Sequence, residues 1–503
     1  MIDKTKAFGI FLAVVLAMSP LNAAASAATT AKAGAKCPKA GVTQVVKSKK
    51  YTCVVKGKRL VWNSGTAIPV MQIPRTPCDQ DASLAGTWGD VQKYFSQGGI
   101  CLGPLKVEQT VLTATKPASA LTSPSMDLRK TACTVTPANS SENGWPDSYQ
   151  LAHQNFPSPN TVIQVVPIYT TDSASPARKP ASDYSRYFDF ITSLVTYDSD
   201  NGSRFQIRVP DKYFKLPKTL EEYGITHDGA SSDQQDRRRL YAKDVIDVSD
   251  AEIDYSDVDM VLVVAPPGTP LSLSVTAGLS GQKADGKVLV MHQASPATLT
   301  YPVAGHGPSI SPMWWFHELL HTGIGFADHN GSGYWQNQKD GDPNKIGMGH
   351  WGIMSMALTD LLAYEKWVLG YISDEQVRCV NTAEASSVWL SPASIKSKNV
   401  KLAVVPINDH QWLAVESQRA GGINYMLGQP SEGVLVYLID TATGDRESSV
   451  RMVLKAGYKI GNSSFLLGDE PMKKGEYTSF GNLTVSVIES GAFGDVVRIQ
   501  QQR

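Results

Sequence analysis

The strongest constraint on the fold of this chain is a short helical segment with two histidines one turn apart. Ser311 and Pro312 predict its start, because a serine side chain caps free N–H groups and proline at the first helical position loses no needed donor. Gly323 predicts its end, since glycine adopts the left-handed backbone of a helix C-terminus without a side-chain penalty. His317 and His321 then lie on one helical face, where both imidazoles can reach one metal ion.

Histidines four residues apart on a helix can both bind the zinc ion of a hydrolytic enzyme. Three protein ligands leave a fourth position for water, and zinc lowers the pKa of that water to about 7. Glu318 follows the first histidine and can take the proton as the water attacks a peptide carbonyl. The alternative is an ordinary helix whose histidines lie beside a stripe of core residues: Met313, Phe316 and Leu320.

The third ligand has several candidates. Gly325 can turn the chain after the helix, and Asp328 and His329 follow within reach. A carboxylate and an imidazole both suit zinc. A ligand on a second helix is the other arrangement, and Glu365 in the helical segment 360–369 is the residue available for it. We favour Asp328, with His329 and then Glu365 as alternatives.

Three runs in this part of the chain carry further motifs. They are His317 to Asp328, then Gly-Ile-Met-Ser at 352–355, then Tyr-Glu-Lys-Trp-Val-Leu-Gly-Tyr at 364–371. Together they resemble the secreted immune-inhibitor-A family of zinc metallopeptidases, which has an HExxHxxGxxD motif, a Met-Ser turn and a Trp-x-x-Leu-Gly-Trp-like helix end. The resemblance covers residues 161–503, with supporting segments at 203–209, 223–224, 253–259, 413–419 and 433–437. It implies a metzincin-like, zinc-dependent endopeptidase.

The chain departs from that family pattern in two places. Ile324 stands where the family has glycine, and the family aspartate falls one residue before Asp328. A one-residue insertion restores the match, so the resemblance implies Asp328 as the ligand and keeps His329 as the alternative. In the turn, Gly352 replaces the family aspartate, and Met354 is the residue implied beneath the metal. The other interpretation of Met354 is an ordinary core methionine.

The N-terminus predicts an export signal. Lys4 and Lys6 precede an apolar run at 7–18, and Ala-Ser-Ala at 25–27 fits a small-x-small cleavage site. An uncleaved anchor needs about 20 apolar residues, more than this run supplies. No later segment is long and apolar enough to span a bilayer, so we expect a secreted, extracellular protein without a transmembrane segment.

Six cysteines in an exported chain predict three disulfides. Sequence alone permits fifteen pairings, and short loop closure favours two of them. The expected pairs are Cys37 with Cys53, Cys78 with Cys101, and by remainder Cys133 with Cys379.

The first of these pairs lies in a basic segment. Two β-leaning runs, 42–46 and 51–55, predict a small disulfide-stapled β module. Its basic residues have no acidic residue among them: Lys36, Lys39, Lys47, Lys49, Lys50, Lys56, Lys58 and Arg59. One interpretation is attachment to an anionic cell-envelope polymer, with cell-wall association of the protein. The simpler one, which we favour, is a solvated basic face.

Alternating strands and helices followed by short strands predict the fold class. We expect an α/β (α+β) zincin-like catalytic domain and then an all-β sandwich-like domain. The expected segments are a signal peptide at 1–27, the basic module at 28–65, a linker or propeptide-like region at 66–159, the catalytic domain at 160–380 and the β domain at 381–503. In the catalytic domain, strands are predicted at 161–169, 205–209 and 258–265, and helices at 183–197 and 236–248. The chain has 47 basic and 47 acidic residues, so its zero net charge gives no reason to expect a nucleic acid partner.

The leading prediction is therefore a secreted zinc endopeptidase acting on protein or peptide substrates. The alternative is an envelope-binding protein in which the peptidase fold is an inactive scaffold. The loop 340–344 offers oxygen ligands for Ca²⁺ without the spacing of an EF-hand, and a solvated turn explains it equally well. Tyr334 and His350 are weaker candidates for stabilising an oxyanion.

Overall fold

The computed structural model of this chain divides into two compact units, Met1–Pro74 and Arg75–Arg503. It describes residues 32–46, 49–67, 106–115, 117, 128–135, 159–226, 231–270, 272–295, 312–329, 347–349, 351–356, 359–425, 427, 431–443, 449–458, 467 and 470–502. Several predictions lie outside these residues: the signal peptide, the pair Cys78 with Cys101, the cap Ser311, the loop 340–344, Tyr334 and His350.

The first unit is a small antiparallel sheet. Its strands are β1 (Thr43–Val46), β2 (Lys49–Lys56), β3 (Arg59–Trp62) and β4 (Thr66–Ala67). β2 pairs with each of the other three strands. A disulfide joins Cys37 to Cys53, as predicted, and both pack with the buried Trp62. A covalent link and one tryptophan thus substitute for the larger core that so short a segment cannot build.

The second unit begins with a mostly parallel sheet. Its strands are β5 (Asn160–Tyr169), β6 (Arg204–Arg208), β7 (Phe214–Lys215), β8 (Met260–Val264), β9 (Ala277–Ala284) and β10 (Lys287–Ala294). The order is β6-β5-β8-β10-β9, and β7 pairs with one end of β5. β9 is antiparallel to β10 and forms an edge of the sheet. The central strands are apolar on both faces, as buried parallel strands must be.

Helices cover both faces of this sheet. They are α1 (Pro180–Asp198), α2 (Leu220–Tyr223), α3 (Ser232–Ser249), α4 (Pro312–Ile324), α5 (Ile353–Met356) and α6 (Ala363–Val368). Side chains of β8 alternate between the two resulting cores. Leu262 shares a core with α1 and α4, whereas Val261 and Val263 share one with α3. The two histidine candidates, His317 and His321, therefore lie on a helix that is packed against the sheet.

The C-terminal part contains two facing sheets. Its strands are β11 (Val377–Cys379), β12 (Ser386–Leu390), β13 (Leu402–Asn408), β14 (Gln411–Gln418), β15 (Gly433–Asp440), β16 (Val450–Met452), β17 (Tyr477–Phe480), β18 (Leu483–Gly491) and β19 (Gly494–Gln501). The sheets have the orders β11-β13-β14-β15-β16 and β12-β19-β18-β17, and they share one apolar core. On β14, Leu413 enters that core, while Ala414 joins the core around α4. The first sheet is thus buried on both faces.

Parts of the stretch 66–159, predicted as a linker or propeptide, are attached to this second unit. A disulfide joins Cys133 to Cys379, as predicted. The Tyr364 hydroxyl donates a hydrogen bond to the Cys133 carbonyl at 2.8 Å and accepts one from the Val135 amide at 2.7 Å. The overall architecture is mixed α+β with few helices and several sheets. Among the described residues, none of the helices has the length and apolar character needed to span a bilayer.

Candidate metal centre

Helix α4 is held in place by its aromatic face. Trp315 is buried against α1, with ring centroids 4.5 Å from Tyr187 and 5.0 Å from Tyr184. The helix ends at Ile324, and Gly325 takes the left-handed conformation with φ 83°, two residues after Gly323, where the end was predicted. Its amide donates to the carbonyls of Leu320 and His321, which completes the helix end. The flexible residue that redirects the chain is therefore Gly325, and Gly323 remains helical.

Three ligand atoms converge beside this helix. Nε2 of His317 lies 3.0 Å from Nε2 of His321, and Oδ1 of Asp328 lies 3.1 and 3.4 Å from those two atoms. Ligands bound tetrahedrally to zinc at 2.0–2.1 Å are themselves about 3.3 Å apart. The spacing therefore matches the edges of a zinc coordination tetrahedron. These three are the group of possible metal ligands found among the described residues.

Both imidazoles are oriented through their other nitrogen. Nδ1 of His317 faces the Ile353 carbonyl at 2.8 Å, and Nδ1 of His321 faces the Phe326 carbonyl. A carbonyl can only accept, so Nδ1 carries the hydrogen and Nε2 presents its lone pair. Metal-binding histidines are held in this way by backbone carbonyls or carboxylates.

The charges of the cluster favour a cation. Burial alone would lower the pKa of His321, but the Asp328 carboxylate outweighs burial and raises that pKa to about 9. Burial would raise the pKa of Asp328, yet the two histidines hold it well below its usual range. The carboxylate keeps 44% of its side chain exposed, so the cluster is open on one side. A proton or a metal ion can supply the positive charge that these groups stabilise.

Glu318 lies on the same helix and faces a histidine that sequence analysis did not single out. Its Oε2 is 3.8 Å from Nε2 of His292, which is buried on β10. The His292 ring contacts the hydroxyls of Thr322 at 2.7 Å and Thr276 at 3.1 Å. Burial lowers the pKa of His292 to about 4, so the ring is neutral at pH 7. His292 is a single histidine in a segment for which no helix or strand was predicted, so sequence analysis offered no reason to expect this contact.

The two alternative ligands, His329 and Glu365, contact each other and do not join His317 and His321. Nδ1 of His329 is 3.3 Å from Oε1 of Glu365, and both side chains are buried. The His329 backbone bonds to Met354 and Met348, and the second Glu365 oxygen accepts from the Leu362 amide. Burial lowers the pKa of His329 to about 3 and raises that of Glu365 to about 8. At pH 7 both groups are neutral, which makes their burial tolerable.

The predicted turn at 352–355 lies against the ligand cluster. The Ile353 carbonyl orients His317, and the Met354 carbonyl accepts from the His329 amide at 2.7 Å. Gly352 has φ 91°, and a Cβ there would lie 3.1 Å from Leu362. Both observations explain glycine where the resembled family has aspartate. Met354 itself is fully buried in the core around α4.

In comparisons with protein-family models and with curated proteins, no match to this chain is found. The functional interpretation therefore depends on the residues and geometry described above.

Proposed function

We propose that this chain is a secreted zinc-dependent endopeptidase in which His317, His321 and Asp328 hold the metal and Glu318 is the general base. The observation that carries the proposal is the convergence of two oriented imidazoles and one carboxylate at tetrahedral spacing. Two nitrogen ligands and one oxygen ligand suit zinc. When bound, zinc supplies Lewis-acid activation of water.

The number of ligands supports a catalytic site over a structural one. Structural zinc sites are closed by four protein ligands, whereas catalytic sites keep one position open. Three residues converge in the described part of the chain, and the remaining candidates, His329 and Glu365, are buried against each other. The exposed side of Asp328 gives a substrate access to the cluster.

Glu318 has the position and chemistry of a proton acceptor. Glu318 directly follows the ligand His317 on the helix, and 15% of its side chain is exposed. The neutral ring of His292 faces it without adding a competing charge. A carboxylate in this place takes a proton from the attacking water and returns it to the leaving amine.

The sheet next to α4 supports a peptide substrate. Strand β9 is an edge of its sheet, and an edge strand can pair with an extended peptide through main-chain hydrogen bonds. An ideal Cβ at Gly278 on β9 would lie 3.8 Å from the Thr322 hydroxyl on α4, so this edge runs beside the ligand helix. A zincin-like catalytic domain is the fold that we propose for this arrangement.

The test compares three variants of the purified mature chain with the wild type, measuring bound zinc by mass spectrometry and hydrolysis of casein. Glu318→Gln should keep zinc and lose about 10²- to 10⁴-fold in rate, because it preserves size and removes the base. His321→Ala should lose both zinc and activity. Glu384→Gln, at an exposed glutamate, is the matched control and should change neither.

Full activity of Glu318→Gln would contradict the assigned mechanism. A wild-type chain that binds no zinc and cleaves no protein would overturn the proposed function.

A further inference from the structure

The first compact unit has a charge that the proposed peptidase activity does not explain. Residues 28–74 contain nine lysines and arginines and no aspartate or glutamate, although the whole chain is balanced at 47 of each sign. No carboxylate side chain within residues 28–74 can therefore neutralise these basic residues. The unit carries a net positive field of its own.

Part of this charge is concentrated at one hairpin, which we call the basic tip: Lys56, Gly57, Lys58 and Arg59. Gly57 has φ 63° and allows the tight turn between β2 and β3. Lys56 and Arg59 are directly opposite each other in the sheet register, and both are exposed, as is Lys58. Like charges in opposite positions of an antiparallel pair destabilise a hairpin. The tip thus presents three exposed basic side chains at neighbouring positions of one hairpin.

The scaffold keeps these cations in place. Cys53 pairs with Trp62 in the register of the same hairpin, and Cys53 is linked to Cys37 by the disulfide. The Asn63 side chain accepts from the Thr52 amide at 2.9 Å, which ties the far end of the hairpin. Because side chains alternate between faces, the tip residues Lys56 and Arg59 lie on the face opposite the Cys53 side chain. A hairpin with a fixed backbone loses less entropy on binding than a flexible tail does.

We propose that the basic tip binds a linear polyanion, a polymer whose repeating units carry phosphate or carboxylate groups. Such a polymer places successive negative charges along one chain and relieves the repulsion among the three tip residues. Lysine ammonium groups act as point charges and accept either anion, while Arg59 adds a planar fork that suits both.

The exposed apolar residues favour a polymer over a lipid bilayer. In the described part of this unit, the exposed large apolar side chains are Val42, Val54 and Val55, and none is aromatic. Segments that insert into a bilayer surface present larger apolar groups such as Trp, Phe and Leu next to their basic residues. Charge is therefore the main means of recognition at this tip.

The experiment uses the full mature chain and a triple variant, Lys56→Gln with Lys58→Gln and Arg59→Gln. The matched control changes three exposed lysines of the second unit by the same total charge: Lys215→Gln, Lys283→Gln and Lys474→Gln. Binding to poly(glycerol phosphate), polyglutamate, neutral dextran and vesicles of an anionic phospholipid is measured by calorimetry at about 50 mM and about 200 mM salt. The two anionic polymers distinguish phosphate from carboxylate as the preferred group.

We expect the tip variant to lose at least about 10-fold in affinity for an anionic polymer, and the control to lose less than about 2-fold. The slope of log affinity against log salt should fall by about 2, since roughly 0.7 counterions are released for each neutralised charge on a single chain. Lys56→Arg with Lys58→Arg keeps the charge and should keep the affinity. The midpoint temperature of thermal unfolding should not be lower in the tip variant than in the wild type, because the change removes like-charge repulsion.

Several outcomes would overturn the proposal: equal affinity of the tip variant and the wild type, an equal loss in the control, equal binding to dextran, or binding to anionic vesicles alone. Hydrolysis of a small neutral peptide should be the same in the tip variant as in the wild type. The polyanion site and the zinc site can therefore fail independently.

Discussion

Two groups of charged side chains lie in the second unit, and they differ in where the positive charge comes from. In the first, the lysine cluster, the Lys366 ammonium lies 2.9 Å from Asp198 and 2.5 Å from Asp360, and all three side chains are at most 2% exposed. In the second, the ligand cluster of His317, His321 and Asp328, the chain supplies a carboxylate and two imidazoles, and the carboxylate is partly exposed.

We infer from this difference that the lysine cluster has a structural role and the ligand cluster a functional one. Burial alone would lower the pKa of Lys366, but the two carboxylates raise it above its ordinary value. Burial and the neighbouring Asp360 raise the pKa of Asp198 well above its ordinary value, so Asp198 holds a proton and the ammonium balances the Asp360 carboxylate within the chain. The lysine cluster joins the end of α1 to the segment that leads into α6. In the zinc site that we propose, the ligand cluster takes its cation from solution. We therefore expect changes in the first to alter stability and changes in the second to alter metal binding.

The largest effect is expected when the lysine cluster is broken. Lys366→Met leaves two buried carboxyl groups without their cation and should lower the free energy of unfolding by about 3–5 kcal/mol, measured by urea denaturation. Adding Asp198→Asn and Asp360→Asn should recover most of the loss. Lys398→Met, at a lysine with 79% of its side chain exposed, is the control and should change stability by less than about 1 kcal/mol.

A loss below about 1 kcal/mol in Lys366→Met would show that this cluster contributes little to stability. If the surviving folded fraction also bound zinc more weakly, the two clusters would be coupled and the separation above would be wrong.

The next effect concerns the choice of the third ligand. Asp328→Ala should weaken zinc binding by about 100-fold or more in a competition titration, because two imidazoles alone hold zinc poorly. His329→Ala should cost less, although loss of a residue near the ligands can itself cost about 10-fold. His329→Gln, which keeps most of the volume, separates ligand loss from a packing defect. A reversed ranking would assign the metal to His329, and negligible loss in both would point to Glu365.

Zinc should also stabilise the folded chain by a smaller, predictable amount. A ligand that binds only the folded state at tenfold excess over its Kd adds about 1.4 kcal/mol to the free energy of unfolding. The wild type and Lys366→Met should gain the same amount, and a chelator should reverse it. His321→Ala should gain nothing. An equal gain in His321→Ala would indicate zinc bound elsewhere.

The last expected effect is a pH dependence beside the lysine cluster. Lys401 is buried, and its ammonium donates to the carbonyls of Pro392 and Ile395. Burial lowers its pKa to about 7, whereas in the unfolded chain the value is about 10.4. Between these values the unfolded state binds more protons, so this group makes stability rise with pH.

Lys401→Met should remove that contribution. The difference in the free energy of unfolding between this variant and the wild type should change by less than about 1.4 kcal/mol per pH unit across this window. Urea denaturation at about pH 7 and pH 9 measures it. A difference between the two chains that does not change with pH would contradict the lowered pKa.

Strong periodicity explains which elements could be predicted. Helix α1 was expected at 183–197 and occupies Pro180–Asp198, and β8 was expected at 258–265 and occupies Met260–Val264. The hairpin of β9 and β10 was not predicted, because β9 is rich in glycine and polar residues, a composition typical of loops. It becomes a strand through its pairing with β10, which is itself placed by β8.

The sequence by itself determined that His317 and His321 meet, because a spacing of four residues on a helix is a local property of the backbone. Tertiary structure decided the rest of the site. Asp328 approaches the pair because Gly325 redirects the chain and the His329 backbone is bonded to Met354 and Met348. His292 reaches Glu318 from a strand that sequence patterns did not reveal. These contacts join residues far apart in the chain, and their positions depend on how sheets and helices pack, which no local pattern encodes.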